Sequence, residues 1–154
     1  MLDTNSATLP TVFLPRLHAK AMIAHARQGK PEEICGLVAQ DEMGNIVASV
    51  PVKNGAKNKI IHYTMDPLSQ HNAFMKLDEE EWDLTGIYHS HPATVGYPSV
   101  TDQRMAFDPE DDYPLYPDAI YFIISLADDD NPVIRAYLLP NPQTIKELEV
   151  VISS

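Results

Sequence analysis

The sequence predicts an α/β fold in which a curved mixed β-sheet is flanked by helices packed on its faces. Three observations favour this class: short apolar runs bounded by turn residues alternate with segments of helical periodicity, the 154 residues amount to about one domain, and 44% hydrophobic residues can supply its core. No internal repeat, low-complexity tract or interdomain linker is visible. Residues 1–154 are therefore expected to form a single domain.

The first predicted elements are a strand and a helix. TVFLP starts as a short apolar strand at residues 11–15, and Pro15 suits the first turn of a helix. Apolar residues recur at helical spacing up to the stop at Gly29, namely Leu14, Leu17, Ala21 and Ala24. We therefore predict helix one over residues 15–28, with this set as its apolar face.

A hairpin and a third strand are expected next. EICGLVAQ, residues 33–40, places Glu33, Cys35 and Leu37 on one side of a strand, in alternation with the residues of the other side. The turn DEMGN leads into NIVASVPV, residues 45–52, so the two runs form a hairpin. After the polar loop NGAKNK, the run IIHYTM predicts a strand at residues 60–65.

The remaining elements begin with a second helix. Asp66 and Pro67 are typical of an N-cap and a first helical residue, and the helix reaches about Glu80 with the apolar positions Leu68, Phe74, Met75 and Leu77, which we assign to the core. Three more strands are predicted, for LTGIYH at 84–89, AIYFIISL at 119–126 and PVIRAYLL at 132–139, and a short helix is predicted for residues 100–107. The acidic, proline-rich stretch 108–118 is predicted as a loop, and TIKELEVVIS at 144–153 fits either a strand or a helix.

The composition excludes several classes of partner. Eleven Lys and Arg stand against 22 Asp and Glu, and a net charge of −11 gives no attraction to nucleic acid or to an anionic membrane. Neither a spanning apolar run nor a secretory signal is visible. The single cysteine, Cys35, cannot form an intrachain disulfide, which fits a reducing compartment. A cytoplasmic protein held together by packing is expected.

The stretch HSHPATVGYPSVTD, residues 89–102, has the composition of a metal site. If His89 and His91 end a strand, their spacing of two places both imidazoles on one face. Catalytic zinc sites use three protein ligands and leave the fourth position to water. Asp102 is the nearest candidate for the third ligand, because a helix that begins after Ser99 directs it back towards the histidines.

Structural explanations exist for each of these residues taken alone. Ser99 and Asp102 are spaced as a capping box, which is usually only a helix start. An isolated histidine is usually solvated or hydrogen-bonded, as we expect for His18, His25, His62 and His71. The conjunction of paired histidines, proline, a short loop, serine and aspartate in a fixed order favours the metal site.

The same residues resemble the motifs of a known family. His-x-His-Pro, six residues and Ser-x-x-Asp form the pattern of the JAMM (MPN+) metallopeptidases, and EICGL at residues 33–37 is similar to the upstream glutamate element of that family. The resemblance covers about residues 12–140 and is strongest to the small prokaryotic members that consist of this domain alone. It implies the MPN/JAB fold, which is cytidine-deaminase-like.

The resemblance also implies a role for each motif residue. His89, His91 and Asp102 would bind one zinc ion per chain, and Glu33 would be the general base that takes a proton from the zinc-bound water and passes it to the leaving amine. Ser99 would donate a hydrogen bond to the tetrahedral oxyanion. Zinc brings bound water to a pKa of about 7, which is compatible with these roles.

The substrate expected from the resemblance is a ubiquitin-like or sulfur-carrier protein, cleaved at the amide or isopeptide bond after a C-terminal Gly-Gly. Such a tail is expected to add as a strand to the edge of the hairpin at residues 45–53. One alternative is a non-catalytic scaffold of the same fold, although scaffold members typically lose metal ligands. Another is a cell-wall or phage-associated peptidase, which usually carries a second domain for which 154 residues leave no room.

Cys35 raises the further alternative of a cysteine peptidase with a histidine partner. Its position between Ile34 and Leu37 in an apolar strand indicates a small buried residue instead. Reactive cysteines lie in partly exposed, electropositive surroundings. We therefore predict that Cys35 packs in the core.

Overall fold

A computed structural model describes residues 9–154, so the first eight residues of the predicted domain lie outside it. In this range the chain forms seven strands and three helices: β1 Thr11–Pro15, α1 Arg16–Gly29, β2 Cys35–Gln40, β3 Ile46–Val52, α2 Pro67–Glu80, β4 Asp83–His91, α3 Val100–Met105, β5 Ile120–Ser125, β6 Val133–Asn141 and β7 Thr144–Ser153.

The seven strands form one mixed sheet in the order β1-β7-β6-β5-β4-β2-β3. The β4–β5 and β1–β7 pairs are parallel, and the other four pairs are antiparallel. The two strands at opposite ends of this order, β1 and β3, contact each other, so the sheet is strongly curled. The predicted class, a curved mixed sheet flanked by helices, is confirmed.

The alternation along EICGLVAQ separates two cores, one on each face of the sheet. Cys35, Leu37 and Ala39 belong to the cluster that includes α2 residues, whereas Val38 belongs to the cluster that includes α1 residues. The antiparallel pairing of β2 with β3 confirms the predicted hairpin. Burial on both faces explains why β2 is almost continuously apolar.

The C-terminal segment that the sequence left open is a strand. β7 pairs with β6 on one side and with β1 on the other, so both of its edges are hydrogen-bonded. Leu148 of this strand is buried in the core, at 6% exposure. The periodicity of the segment fits both a helix and a strand, and its pairing with β6 and β1 makes it a strand.

Both long helices lie where the sequence placed them, but their buried faces differ from the prediction. α1 buries Ala19, Met22 and Ala26, while Leu17 is 73% exposed and the predicted Ala21 and Ala24 face solvent. Ala19, Met22 and Ala26 recur at the same helical spacing as the predicted set, so the periodicity did not determine which of the two stripes faces the sheet. None of the helices in residues 9–154 is long and apolar enough to cross a membrane.

α2 begins as predicted, with the Asp66 carboxylate accepting a hydrogen bond from the Ser69 N–H at 3.0 Å. It buries Ala73 and Leu77, and Phe74 is partly buried against the same core. The assignment of Leu68 and Met75 to the core was wrong, because these two residues are exposed. They lie seven positions apart, on one stripe of the helix that faces away from the sheet.

The strand predicted at residues 60–65 was also wrong, because this segment is a turn followed by irregular chain. Ile60 and Ile61 are 57% and 58% exposed, and only Met65 forms an isolated bridge, with Asn54. The side chain of Asn54 provides the hydrogen bonds that a neighbouring strand would provide, to backbone groups of Ala56, His62 and Thr64.

Gly36 of the EICGL element allows a close approach between two strands. The ring of Tyr88 on β4 lies directly over Gly36, where a Cβ atom would collide with it. The Tyr88 hydroxyl lies 2.7 Å from Nδ1 of His25, a hydrogen bond that joins the sheet to α1. The glycine therefore fixes the packing of the strand that carries the histidine motif.

Candidate metal centre

Three side chains of the histidine motif converge on one point. β4 extends to His91, so His89 and His91 lie two positions apart on the same face of this strand, and Asp102 lies in the first turn of α3. The distances are 3.2 Å between the two Nε2 atoms and 3.2 and 3.0 Å from these atoms to Asp102 Oδ2. Among residues 9–154, His89, His91 and Asp102 form a group whose ligand atoms lie close enough together to hold a metal ion.

Ser99 forms a capping box with Asp102 at the start of α3. Ser99 Oγ accepts a hydrogen bond from the Asp102 N–H, and Asp102 Oδ2 accepts one from the Ser99 N–H, both at 2.9 Å. The same Oδ2 atom faces the two imidazoles, so helix capping directs the carboxylate towards the histidines. The capping explanation and the ligand explanation for Ser99-x-x-Asp102 are therefore compatible.

The hydrogen bonds of His91 favour a cation at this point. Its Nδ1 lies 2.8 Å from the carbonyl oxygen of Val95, which can only accept, so Nδ1 carries the proton. In the neutral ring Nε2 then presents a lone pair to the Asp102 carboxylate, also an acceptor. Two acceptors this close repel each other unless a proton or a metal ion lies between them.

The dimensions of the group fit zinc. For Zn–N distances of about 2.0–2.1 Å, two ligands of a tetrahedral site are separated by about 3.3 Å. The three separations here, 3.0 to 3.2 Å, are close to this length. Two imidazoles and one carboxylate are also a ligand set of catalytic zinc sites, which leave one position open. His89, His91 and Asp102 can therefore hold one zinc ion.

The charges of the group favour an ionised carboxylate. Burial alone would raise the pKa of Asp102. The charge of His89, hydrogen bonds that both imidazoles donate when they are protonated, and the hydrogen bond from the Ser99 N–H hold it well below its usual value. Burial alone would lower the pKa of His91, but its hydrogen bonds to Asp102 and Val95 raise it above the usual value. The ionised Asp102 carboxylate thus favours a positive charge, a proton or a metal ion, between itself and the two imidazoles.

Glu33 lies two residues before the start of β2 and is 8% exposed, whereas its neighbour Glu32 is exposed. Burial, followed by the charge of Asp102, raises the pKa of Glu33 to about 7, against an opposing effect of His91. Its Oε1 atom is buried and has no hydrogen-bond partner in residues 9–154. A buried carboxylate with a free oxygen and a pKa near neutrality is suited to accept a proton from a reacting water.

The backbone of Glu33 is held in place by the loop that follows β3. The Glu33 N–H donates to the carbonyl oxygen of Lys59 at 2.7 Å, and the side-chain amide of Asn54 donates to the carbonyl oxygen of Glu33 at 2.9 Å. Asn54 is itself buried. The carboxylate therefore projects from a fixed backbone rather than from a free loop.

Cys35 is fully buried and its thiol lies 3.4 Å from the carbonyl oxygen of Val52. Burial, and secondarily the charge of Glu33, raises the pKa of this thiol to about 12. A thiol that remains protonated at neutral pH is a poor nucleophile. The predicted core position of Cys35 is confirmed.

A comparison with protein-family models identifies the chain. Residues 15–139 match the family described as prokaryotic homologs of the JAB domain. The chain belongs to this JAB family. The matched segment contains the EICGL element, the histidine motif, strands β2 to β5 and most of β6, so the predicted family and its MPN/JAB fold are confirmed.

Related proteins of known name and structure agree with this assignment. The CysO-cysteine peptidase of Mycobacterium tuberculosis is 30% identical over 128 residues, which are 82% of each chain. The desampylase of Haloferax volcanii is 33% identical over 91 residues, which are 56% of this chain and 66% of that protein. The solution structure of a Desulfitobacterium hafniense protein is similar at a TM-score of 0.76 and 33% identity, and the match covers 92% of each chain.

The structure adds two residues to the candidate metal centre of this JAB domain that the sequence did not single out. Tyr63 stacks on the ring of His89, and Asn54 holds the backbone of Glu33. Both lie in the loop between β3 and α2, where a strand was predicted for the residues around Tyr63. No sequence signal marks them, since their roles depend on contacts between segments distant in sequence.

An apolar pocket of about 220 Å³ lies next to the metal centre. Its walls include the ring of Tyr63, Ile87 two positions before His89, and Met105 three positions after Asp102. The other lining residues are Thr64, Met65, Gln70, Leu115, Tyr116 and Tyr121. The pocket therefore extends from the ring of Tyr63, beside the candidate metal centre, to Leu115 and Tyr116 in the loop at residues 108–118.

Proposed function

We propose that this JAB protein is a zinc-dependent peptidase that hydrolyses the amide or isopeptide bond after the C-terminal Gly-Gly of a ubiquitin-like or sulfur-carrier protein. In this proposal His89, His91 and Asp102 bind one zinc ion per chain, and Glu33 and Ser99 act on the reacting groups. The observation that carries the proposal is the buried Glu33 carboxylate beside the three converging ligands, with a free oxygen and a pKa near 7.

Glu33 is the general base and then the general acid of the proposed reaction. A bound zinc ion supplies Lewis acidity, which acidifies a water molecule and polarises the scissile carbonyl. The unpartnered oxygen of Glu33 takes the proton of the attacking water. The protonated Glu33 then gives this proton to the leaving amine, so that one side chain serves both steps.

Ser99 is the proposed donor to the oxyanion of the tetrahedral intermediate. Its Oγ atom already accepts the Asp102 N–H, which uses a lone pair and leaves the hydroxyl hydrogen free. The side chain is at the exposed start of α3, next to the carboxylate ligand. A donor held by a helix cap is pre-oriented before charge develops on the carbonyl oxygen.

The proposed path of the substrate tail is the apolar pocket beside Tyr63 rather than the edge of β3. Just beyond the end of β3 nearest the metal centre, backbone hydrogen bonds within the following loop already occupy this edge. The Gly55 N–H donates to the carbonyl oxygen of Thr64, and the Asp66 N–H donates to the carbonyl oxygen of Lys53. The pocket, in contrast, is lined by Tyr63, whose ring stacks on His89, and by Met105, which follows Asp102 on α3. Glycines at the end of the tail would let its backbone approach the ligands closely.

The names of the relatives support the substrate class. The mycobacterial relative is a CysO-cysteine peptidase and the haloarchaeal relative is a desampylase, and both names describe removal of a group from a partner molecule. The scaffold alternative is disfavoured because the three proposed ligands converge and the buried Glu33 is present as well. We place the reaction in the cytoplasm, which the single cysteine favours, and assign it to one domain over residues 1–154, of which residues 9–154 contain one sheet.

The proposal is tested with a purified carrier protein extended by a few residues past Gly-Gly. Cleavage after the second glycine is expected, and a matched carrier with alanine in place of that glycine should be cut at least about 10-fold more slowly, because the added methyl group obstructs close backbone approach. The products are identified by mass spectrometry. Failure on every ubiquitin-like and sulfur-carrier protein offered, with zinc bound, would remove this substrate class and favour the cell-wall or phage-associated alternative.

Replacement of Cys35 with serine separates zinc chemistry from the cysteine peptidase alternative. We expect Cys35→Ser to cleave the carrier within about threefold of the wild-type rate, since the thiol is fully buried and protonated. The variant should unfold at lower urea concentration, because a hydroxyl replaces a buried sulfur. A folded, zinc-loaded Cys35→Ser protein without activity would reinstate the cysteine as nucleophile.

A further inference from the structure

The two histidines of the metal centre are oriented in different ways. His91 Nδ1 donates to the carbonyl oxygen of Val95 at 2.8 Å, which fixes both its tautomer and its ring plane. His89 Nδ1 is buried and has no hydrogen-bond partner in residues 9–154. A ligating histidine almost always donates its second nitrogen to an acceptor that orients the ring. His89 therefore needs another source of orientation.

The aromatic ring of Tyr63 is placed to orient the imidazole of His89. The centroids of the Tyr63 and His89 rings are 4.4 Å apart and their planes differ by 23°. This is a stacked pair within the range of favourable aromatic contacts. Because the two faces are in contact, rotation of the imidazole about its Cβ–Cγ bond would push its edge into the Tyr63 ring. The contact therefore restricts the direction in which His89 Nε2 points.

Tyr63 is itself held on both sides by Asn54. The Asn54 side-chain amide donates to the carbonyl oxygen of His62 at 3.0 Å, and its Oδ1 accepts the Thr64 N–H at 3.1 Å. These are the two residues that flank Tyr63. The same amide group donates to the carbonyl oxygen of Glu33. One buried amide thus fixes the backbone that carries the stacking ring and the backbone that carries the proposed base.

We propose that Tyr63 is a positioning residue of the metal centre, which orients the imidazole of His89 by stacking in place of a hydrogen bond at Nδ1. The inference rests on the proposed zinc site. It concerns the aromatic face of Tyr63 and not its hydroxyl group, so phenylalanine should serve as well as tyrosine. Loss of the ring leaves the His89 rotamers less restricted, so binding zinc then costs more conformational entropy.

The test compares Tyr63→Leu with Tyr63→Phe in the full-length protein. Zinc affinity is measured by competition with a chromophoric chelator. We expect Tyr63→Leu to bind zinc about 10- to 100-fold more weakly, the usual effect of removing a group that orients a ligand. Tyr63→Phe should bind within about twofold of wild type, since it keeps the stacked face. The visible spectrum of the Co²⁺-loaded protein should change in Tyr63→Leu only.

Urea unfolding of the metal-free proteins separates positioning from a purely structural role. If Tyr63→Leu lowers the unfolding midpoint but binds zinc with wild-type affinity, the inference is wrong. It is also wrong if Tyr63→Phe loses as much affinity as Tyr63→Leu, because the hydroxyl would then carry the effect. Should Tyr63→Leu not fold, Tyr63→Met fills the same volume without a planar face and is measured instead. A wild-type protein that takes up no zinc would contradict the proposed function itself, a different result from a selective loss in the Leu or Met variant.

Discussion

Glu33→Gln is expected to retain zinc at the wild-type level and to lose about 10²- to 10⁴-fold in kcat, the usual contribution of a general acid-base group. Glutamine has the size of glutamate but cannot accept the proton of the attacking water. Glu33 is not one of the three converging ligands, so its replacement leaves the metal-binding group intact. The measurements are kcat on the Gly-Gly-extended carrier and metal content by elemental analysis.

Glu32→Gln is the matched control for this variant. Glu32 precedes Glu33 directly but is exposed, so its replacement should leave both zinc content and kcat unchanged. If Glu33→Gln cleaved the carrier at the wild-type rate, Glu33 would have no part in the mechanism. If Glu32→Gln were the inactive variant, the assignment of the base would be off by one residue.

The second large effect is expected when a ligand is removed. His91→Ala should weaken zinc binding by at least about 100-fold and abolish measurable cleavage, because two of three protein ligands do not retain the ion against a chelator. Asp102→Asn removes the charge but keeps an oxygen that can accept the Ser99 N–H, so it should lose zinc while α3 stays capped. Metal content, circular dichroism and cleavage are measured together for each variant.

His62→Ala serves as the control for the ligand variants. His62 lies in the exposed loop that follows β3 and is not part of the converging group. Its replacement should therefore change neither zinc content nor kcat. Retention of zinc and activity by His91→Ala would mean that the metal, if any, is bound elsewhere, and the assignment of the centre would have to be abandoned.

The arrangement of the motif residues could be predicted from sequence because each depends on local geometry. Two residues at a spacing of two on a strand share a face, and Ser99 and Asp102 are related by the rules of helix capping. The structure brings His89, His91 and Asp102 together through these two local features. The alternation of EICGLVAQ likewise predicted which residues face each core.

The errors concern features that depend on distant contacts. IIHYTM has the composition of a strand, yet Asn54 satisfies the backbone groups of this loop and leaves Ile60 exposed. Periodicity indicated that α1 and α2 are helices but not which stripe faces the sheet, and Leu17 and Met75 were assigned wrongly for this reason. Nothing in the sequence relates Tyr63 to a histidine 26 positions later in the chain.

The most direct test of the proposed zinc peptidase is cleavage of the extended carrier by wild-type protein before chelation, after chelation and after zinc is returned. Elemental analysis accompanies each step. The proposal predicts about one zinc per chain, release of the segment beyond the second glycine, loss of both on chelation and recovery of both with added zinc. Cleavage that continues at the same rate in metal-free protein, or a protein that takes up no zinc at neutral pH, would contradict it.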